Sequence, residues 1–151
     1  MNYLLDTNIL LIYGRETDIS RRIEDDYKIF NGQNNIAISA VTLGELDSLA
    51  KQFKYGVKRR DKLQKLIEDV FVIDINIRKV IEKYGEIDAY SQDKLEENPL
   101  NDTSRNMGKN DLWIAATASV YNMNLITTDK DFQHLDLTYL TLNYVDINTY
   151  R

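Results

Sequence analysis

Short apolar segments alternate along this chain with longer segments that repeat apolar residues at helical spacing. Strands are predicted at YLLD, NIAIS, VFVIDI and NLITT, with a last, edge strand at LNYVDI. Strands that alternate with helices are typical of a parallel sheet covered by helices on both faces. The sequence therefore predicts a three-layer α/β/α architecture with a central, mainly parallel sheet of four to five strands.

The helical periodicity also gives approximate bounds for the helices. Helices are expected over residues 9–13, 18–30, about 41–53, 57–69, 77–95 and 111–122, with a short one in DKDFQHL. Thr42 is a possible cap for the third, with Glu45 three residues later. Gly85 is expected to break or bend the fifth. The stretch EENPLNDTSRNMGKN contains the only proline and is predicted to be a loop.

Composition excludes several classes of protein. The 151 residues suit a single domain, residues 1–151, and 28% charged residues is ordinary for a soluble protein. No leader or membrane-spanning stretch is evident, so we expect a cytoplasmic protein with no membrane contact. There is no cysteine, one histidine, and no glycine-rich nucleotide-binding motif. Any catalysis must therefore depend mainly on carboxylates.

Four acidic residues lie where the predicted strands end or the next helices begin. Asp6 closes the first strand, and Asp129 follows the fourth. Glu45 lies one turn into the helix after the second strand, and Asp111 begins an apolar helix. Because the carboxyl ends of parallel strands meet at one edge of a sheet, we expect these four side chains to converge in one cleft.

Four carboxylates in one cleft repel one another unless a cation neutralises them. Ligand sets made only of oxygen suit Mg²⁺ or Mn²⁺. Two such ions about 3.5–4 Å apart could clamp a phosphodiester, activate a water molecule and stabilise the leaving 3′-oxygen. The sequence thus predicts a divalent-metal site formed by Asp6, Glu45, Asp111 and Asp129.

Each of these acids also has an ordinary structural alternative. Asp6 could cap a helix, and Glu45 could belong to a capping box. Asp111 could be an acid favoured by the helix dipole, and Asp129 could be a turn residue. Asp131 competes with Asp129 for the same role, although the position directly after the strand favours Asp129.

Four segments together resemble PIN-domain nucleases, and within them the VapC-type toxins of bacterial toxin–antitoxin pairs. The resemblance runs nearly end to end in the family's chain order, and is carried by LLDTNILL, ISAVTLGEL, KNDLWIAATA and LITTDKDF. It implies a Rossmann-like PIN domain that cleaves RNA, a homodimer, and an antitoxin whose tail crosses the active-site cleft.

The resemblance also implies roles for individual residues. It makes Asp6, Glu45, Asp111 and Asp129 catalytic ligands of Mg²⁺ or Mn²⁺. Supporting polar groups are expected at Asn8, Thr128 and Asp131. A housekeeping RNase of the same fold, or a PIN fold kept only to bind RNA or protein, remains an alternative. The polar stretch 85–110 is long for a small toxin, so no substrate contact is transferred to it.

Two other classes gather acids at strand ends but fit less well. A phosphoacceptor receiver domain should have paired acids closing its first strand and a lysine ending a late one. Here Asp6 stands alone, and Thr127 and Thr128 occupy the late position. A haloacid-dehalogenase-type phosphatase needs an acid two residues after Asp6, whereas Asn8 is there.

Basic residues concentrate in one segment of an acidic chain. The net charge is −5, yet residues 51–65 hold seven Lys or Arg and one Asp. This segment is either a track for an RNA backbone, a solvated helix face, or a surface for an acidic antitoxin. The candidate RNA-binding residues are Lys54, Lys58, Arg59, Arg60 and Lys62.

Overall fold

Five parallel strands form one central sheet in the computed structural model, which describes all residues 1–151. The spatial order is β3-β2-β1-β4-β5. The strands are β1 (Asn2–Leu5), β2 (Asn35–Ser39), β3 (Phe71–Ile73), β4 (Asn124–Thr127) and β5 (Thr141–Tyr144). The predicted parallel sheet is confirmed, with the higher of the two expected strand numbers. Because β1 lies at the centre, the residue after it is at the middle of the carboxyl edge.

Six α-helices connect and cover the strands. They are α1 (Thr7–Arg15), α2 (Asp18–Tyr27), α3 (Ala40–Gln52), α4 (Val57–Glu68), α5 (Arg78–Ser91) and α6 (Lys109–Val120). Two 3₁₀ helices follow, Lys130–Leu135 and Ile147–Tyr150. None of the helices combines the length and apolar character needed to cross a membrane.

Two hydrophobic cores lie on opposite faces of the sheet, because successive strand residues point to opposite faces. Leu4 packs in the core under α5 and α6, together with Leu125 and Phe132. Leu5 packs in the core under α1, α2 and α4, together with Ile126. The strands on either side of β1, which are β2 and β4, are also largely buried. Packing on both faces of the sheet therefore fixes the carboxyl edge around Asp6, as the three-layer prediction requires.

The local predictions made for α3 and α5 were wrong. Ser39 rather than Thr42 caps α3, since the Ser39 hydroxyl accepts the Val41 N–H at 3.2 Å. Glu45 is therefore not part of a capping box. Helix α5 continues through Gly85 without a break and ends at Ser91. No atom lies near the space that a Cβ at Gly85 would occupy, so no tight packing explains this glycine.

Helix α2 is shorter than the periodicity predicts. It ends at Tyr27, and Lys28 adopts the left-handed conformation with φ of 47°. The Glu24 carboxylate accepts the backbone N–H groups of Ile29, Phe30 and Asn31 at 2.8 to 3.1 Å. These hydrogen bonds stabilise a turn where the apolar pattern alone suggests another helical turn.

Candidate functional site

Asp6 lies at the end of β1 and is almost completely buried, with 4% of its surface exposed. Its backbone N–H continues the sheet by donating to the carbonyl oxygen of Ile126 at 3.0 Å. Its Oδ1 accepts the Thr7 N–H at 2.8 Å, so Asp6 does cap α1. The capping interpretation accounts for only one carboxylate oxygen, however, and the second has a different partner.

Thr127 provides that partner and connects two of the predicted acids. Its hydroxyl donates to Asp6 Oδ2 at 2.7 Å and accepts the Asp129 N–H at 2.9 Å. Thr127 is fully buried at the end of β4. It therefore fixes the Asp6 carboxylate and the backbone of Asp129 relative to each other. Sequence analysis assigned a supporting role to Thr128 instead.

Thr7 plays the corresponding role for Glu45. The Thr7 hydroxyl donates to Glu45 Oε1 at 2.8 Å and lies 3.2 Å from the Thr42 hydroxyl. Because Thr7 has one hydroxyl proton, Thr42 is the donor in the second hydrogen bond. Both threonines are buried, and neither was predicted as a site residue. The only signal for them in the sequence is position: Thr7 directly follows Asp6, and Thr42 lies about one helical turn before Glu45.

Asp111 lies in the first turn of α6 and experiences the charges of all the other acids. Partial burial raises the pKa of Asp111 to about 7, and the charges of Asp6, Asp129, Glu45 and Asp131 push it in the same direction. Asp111 is thus close enough to the other four carboxylates for their charges to act on it. A half-buried acid with this pKa is poorly compensated.

The pKa of Asp6 is also raised, and burial is the main cause. Hydrogen bonds from Thr127 and Thr7 lower it, while the charges of Glu45 and Asp129 raise it. We call Asp6, Glu45, Asp111, Asp129 and Asp131 the acid cluster. None of the six ion pairs in the protein includes any of them. Hydroxyl and N–H groups therefore orient these carboxylates without neutralising them.

Asp129 and Asp131 lie together at the start of the first 3₁₀ helix. Asp129 Oδ1 accepts the Asp131 N–H at 2.9 Å, so Asp129 also has the turn role that was its alternative. Carboxylate oxygens of Asp111, Asp129 and Asp131 lie within 4.8 Å of one another. Asp131, predicted only as a supporting group, thus lies inside the cluster rather than behind it.

The donor chemistry of the cluster fits a hard divalent cation. All its members offer oxygen, the set contains no histidine or sulfur, and the negative charge is uncompensated within the protein. Mg²⁺ and Mn²⁺ prefer this kind of ligand set. A cation held here would offset the like-charge repulsion that, together with burial, raises the pKa of Asp111.

The remaining predicted residues lie outside the cluster. Asn8 is exposed and, with Thr128, lines a neighbouring groove beside α1. His134 lies across from Ser91, with its Nε2 2.7 Å from the Ser91 hydroxyl. Burial and the nearby Arg105 lower the pKa of His134 to about 4, so it is neutral at pH 7. Ser91 is fully buried, which excludes it as an accessible nucleophile.

Together these features define an α/β domain whose parallel strands end in a cluster of carboxylates. Residues 3–137 match the model of the PIN domain family, and the chain belongs to this family. It is 30% identical over 139 residues to Ribonuclease VapC2 of Rickettsia felis, covering 89% of this chain and 92% of the relative.

Solved structures give the same result. A crystal structure of VapBC2 from Rickettsia felis bound to a promoter DNA fragment matches with a TM-score of 0.74 and 27% identity. That match covers 97% of this chain and 100% of the other. VapBC-1 from nontypeable Haemophilus influenzae matches with a TM-score of 0.63 and 28% identity, over 95% and 98% of the two chains. The resemblance on which the sequence predictions rested is confirmed.

Proposed function

We propose that this protein is a divalent-metal-dependent endoribonuclease and the toxin of a toxin–antitoxin pair. The observation that carries the proposal is the uncompensated acid cluster at the carboxyl edge of a PIN-family sheet. Support comes from the relative named as a ribonuclease and from similar structures that are toxin–antitoxin complexes.

The proposed metal ligands are Asp6, Glu45, Asp111 and Asp129. When bound, Mg²⁺ or Mn²⁺ would activate water as the nucleophile and stabilise charge on the leaving 3′-oxygen. Asp131 is proposed as a supporting residue that orients the cluster or an outer water. The raised pKa of Asp111 means that cation binding at pH 7 competes with a proton on this carboxyl group.

The contribution of the chain itself is to hold the acids in place before substrate arrives. Thr127 fixes Asp6 and the backbone of Asp129, and Thr7 fixes Glu45. These donors lie on buried strand and helix ends rather than on mobile loops. Catalytic groups held in this way need little rearrangement in the transition state.

Partners and assembly belong to the same proposal. We expect a homodimer of single-domain subunits that acts in the cytoplasm and is inhibited by a small antitoxin protein. Expression of the chain alone should arrest growth, and the Asp111→Asn variant should not. Normal growth despite measurable RNase activity in the extract would favour the housekeeping alternative.

The direct test is cleavage of single-stranded RNA by the purified protein. EDTA should abolish cleavage, and Mg²⁺ or Mn²⁺ should restore it. The products should carry 5′-phosphate and 3′-hydroxyl ends, because water attacks the phosphorus and the 3′-oxygen leaves. Full activity in EDTA, or products that end in a 2′,3′-cyclic phosphate, would contradict the mechanism.

A further inference from the structure

A second concentration of charge lies where α1 and α4 pack together. The helices approach closely at Gly14, where a Cβ would lie 2.7 Å from a side-chain carbon of Leu63. Beside this contact is a groove of about 660 Å³. The basic side chains that line it are Arg15, Lys58, Arg59 and Lys62. We call it the basic groove.

Arg59 is held in a fixed position in this groove. Its guanidinium carbon lies 3.6 Å from the centre of the Tyr55 ring, which is a close cation–π contact. One of its terminal nitrogens, Nη2, is buried and has no hydrogen-bond partner in the protein. A charged donor without a partner in the protein is costly, and no acid of the protein neutralises this guanidinium.

The remaining charges of the groove leave it positive. Glu16 is the only acid among its lining residues, and it is ion-paired with Lys62. Arg15, Lys58 and Arg59 therefore remain without an acidic partner. Helix α4 also begins here, at Val57. Its N-cap residue is Gly56, which has no side chain to accept a hydrogen bond from the first N–H groups of the helix. The helix dipole adds to the positive potential at this point.

The basic groove continues towards the acid cluster. Arg15 and Thr17 also line a second groove, of about 310 Å³, which reaches Asn8 and Thr128. These last two residues are two positions after Asp6 and one before Asp129. Along α1, the seven steps from Asn8 to Arg15 span about 10 Å. An extended backbone seated in the basic groove can therefore run along α1 to the acids.

We propose that the basic groove binds the phosphodiester backbone of single-stranded RNA, a few nucleotides from the bond that is cut. This inference rests on the proposed nuclease function and specifies how its substrate is held. It assigns phosphate contacts to Arg15, Lys58 and Arg59. Arg15 was not among the RNA-binding residues predicted from the sequence.

Two of the predicted RNA-binding residues are not part of this groove. Arg60 lines a separate cavity between α3 and α4, together with Asp47 and Lys51. Lys54 is exposed in the turn before α4 and is not among the groove's lining residues. The structure thus separates Lys54 and Arg60 from the other predicted RNA-binding residues. These two residues can serve as controls that carry the same charge but lie outside the basic groove.

The test measures binding without cleavage. Fluorescence anisotropy of a labelled single-stranded RNA, in EDTA and over a tenfold range of salt, gives the affinity and its salt dependence. Each phosphate contact contributes about −0.7 to the slope of log affinity against log salt for single strands. The double variant Arg15→Ala/Arg59→Ala should flatten the slope by about 1.4. Over the tenfold range of salt, the ratio of wild-type to variant affinity should therefore change by roughly 25-fold.

The control double variant Lys54→Ala/Arg60→Ala removes the same charge and should change the slope by less than half as much. Glu16→Gln should tighten binding, because it releases Lys62 and removes the acid from the groove. Equal slopes for the two double variants would overturn the inference. So would displacement of the RNA by poly-glutamate at equal charge concentration, which would indicate a site for an acidic protein segment.

These outcomes are separable from failure of the nuclease proposal. Wild-type protein that cuts no RNA but binds it through Arg15 and Arg59 would refute the enzyme and support the groove. Wild-type protein that cuts RNA, with groove variants that bind and cut equally well, would refute only the groove.

Discussion

The acid cluster and the basic groove are both concentrations of like charge, but the protein builds them differently. The four proposed metal ligands come from four separate parts of the chain and are partly or fully buried. The hydroxyls of Thr7 and Thr127 fix the carboxylates of Glu45 and Asp6. The cations come from two neighbouring helices and, apart from Arg59 and Lys62, lie on exposed side chains. Fixed, desolvated charge suits a small ion that needs defined ligands. Exposed charge on long side chains suits a flexible polyanion.

The largest expected effect separates these two kinds of site. Asp6→Asn and Asp111→Asn should each reduce metal-dependent RNA cleavage by orders of magnitude, because each removes a proposed metal ligand. The metal-free variants should unfold at the same temperature as wild type or higher, since like-charge repulsion is relieved. Cleavage rates and thermal unfolding in EDTA measure the two effects.

Asp131→Asn is the internal control and should have a smaller effect on cleavage. If Asp6→Asn unfolds the protein while Asp111→Asn remains fully active, then the main role of Asp6 is to cap α1. The acid cluster would in that case be structural, and the contrast with the basic groove would disappear.

The next effect concerns the hydroxyl that orients the acids. Thr127→Val should lower cleavage by about 10- to 100-fold, the usual range for residues that position metal ligands. It leaves Asp6 Oδ2 without a donor and frees the Asp129 N–H. Thr127→Ser should restore most of the activity. Thr128→Val is the matched control at the next position, and an equal loss there would refute the special role of Thr127.

A smaller effect is expected in the pH dependence of stability. Without metal, the pKa of Asp111 is about 7 in the folded protein, because of burial and the neighbouring acids, and close to its ordinary value of 3.8 when unfolded. The folded state therefore binds the additional proton between these values, and wild type should gain stability relative to Asp111→Asn as the pH falls from 7 to 4. Urea unfolding of both proteins in EDTA, at steps of pH, measures this difference.

His134 gives a control of opposite sign. Its pKa is about 4 when folded and about 6.5 when unfolded, so its neutral form stabilises the fold at neutral pH. That stability is lost as the pH falls from 6.5 to 4, and wild type should lose stability relative to His134→Gln over that range. If wild type lost stability relative to both variants as the pH falls, the pKa of Asp111 would not be raised in the folded protein. The proposed repulsion among the acids would then be refuted.

The smallest effect is expected in the basic groove. Lys58→Ala should change the free energy of unfolding by less than about 0.5 kcal/mol, because the side chain is exposed and has no ion pair. Urea denaturation tests this. A larger loss would mean that the groove, like the acid cluster, is part of what holds α1 and α4 in place.

The sequence predicted what depends on short segments of the chain. An apolar strand followed at once by an acid is a local pattern, so all five strands and the positions of Asp6 and Asp129 were found. Thr127 was missed because its role depends on the register between β1 and β4, and its partner Asp6 is 121 residues away. Thr127 and Thr128 are adjacent in the sequence, but it is Thr127 that contacts the acid cluster, while Thr128 lines the neighbouring groove.

Helix geometry explains the other shortfall. Arg59 and Arg60 are adjacent in the sequence, but successive residues of an α-helix point about 100° apart, so they line different cavities. Arg15 joins the basic groove from another helix, and no local pattern connects it to residue 59. The concentration of basic residues in the sequence indicated residues 51–65 as a candidate RNA-binding region. The packing of α1 on α4 was needed to identify which basic side chains line the groove.

The central position of β1 also sets when this protein can become active during its own synthesis. Its neighbour β4 is followed by Asp129, which leaves the ribosome 123 residues after Asp6. At translation rates of about 5–20 residues per second, that delay is roughly 6 to 25 seconds. The growing chain has only part of the cluster throughout this interval. The proposed nuclease therefore cannot complete its acid cluster, or cut the messenger from which it is being translated, until Asp129 and Asp131 have been synthesised.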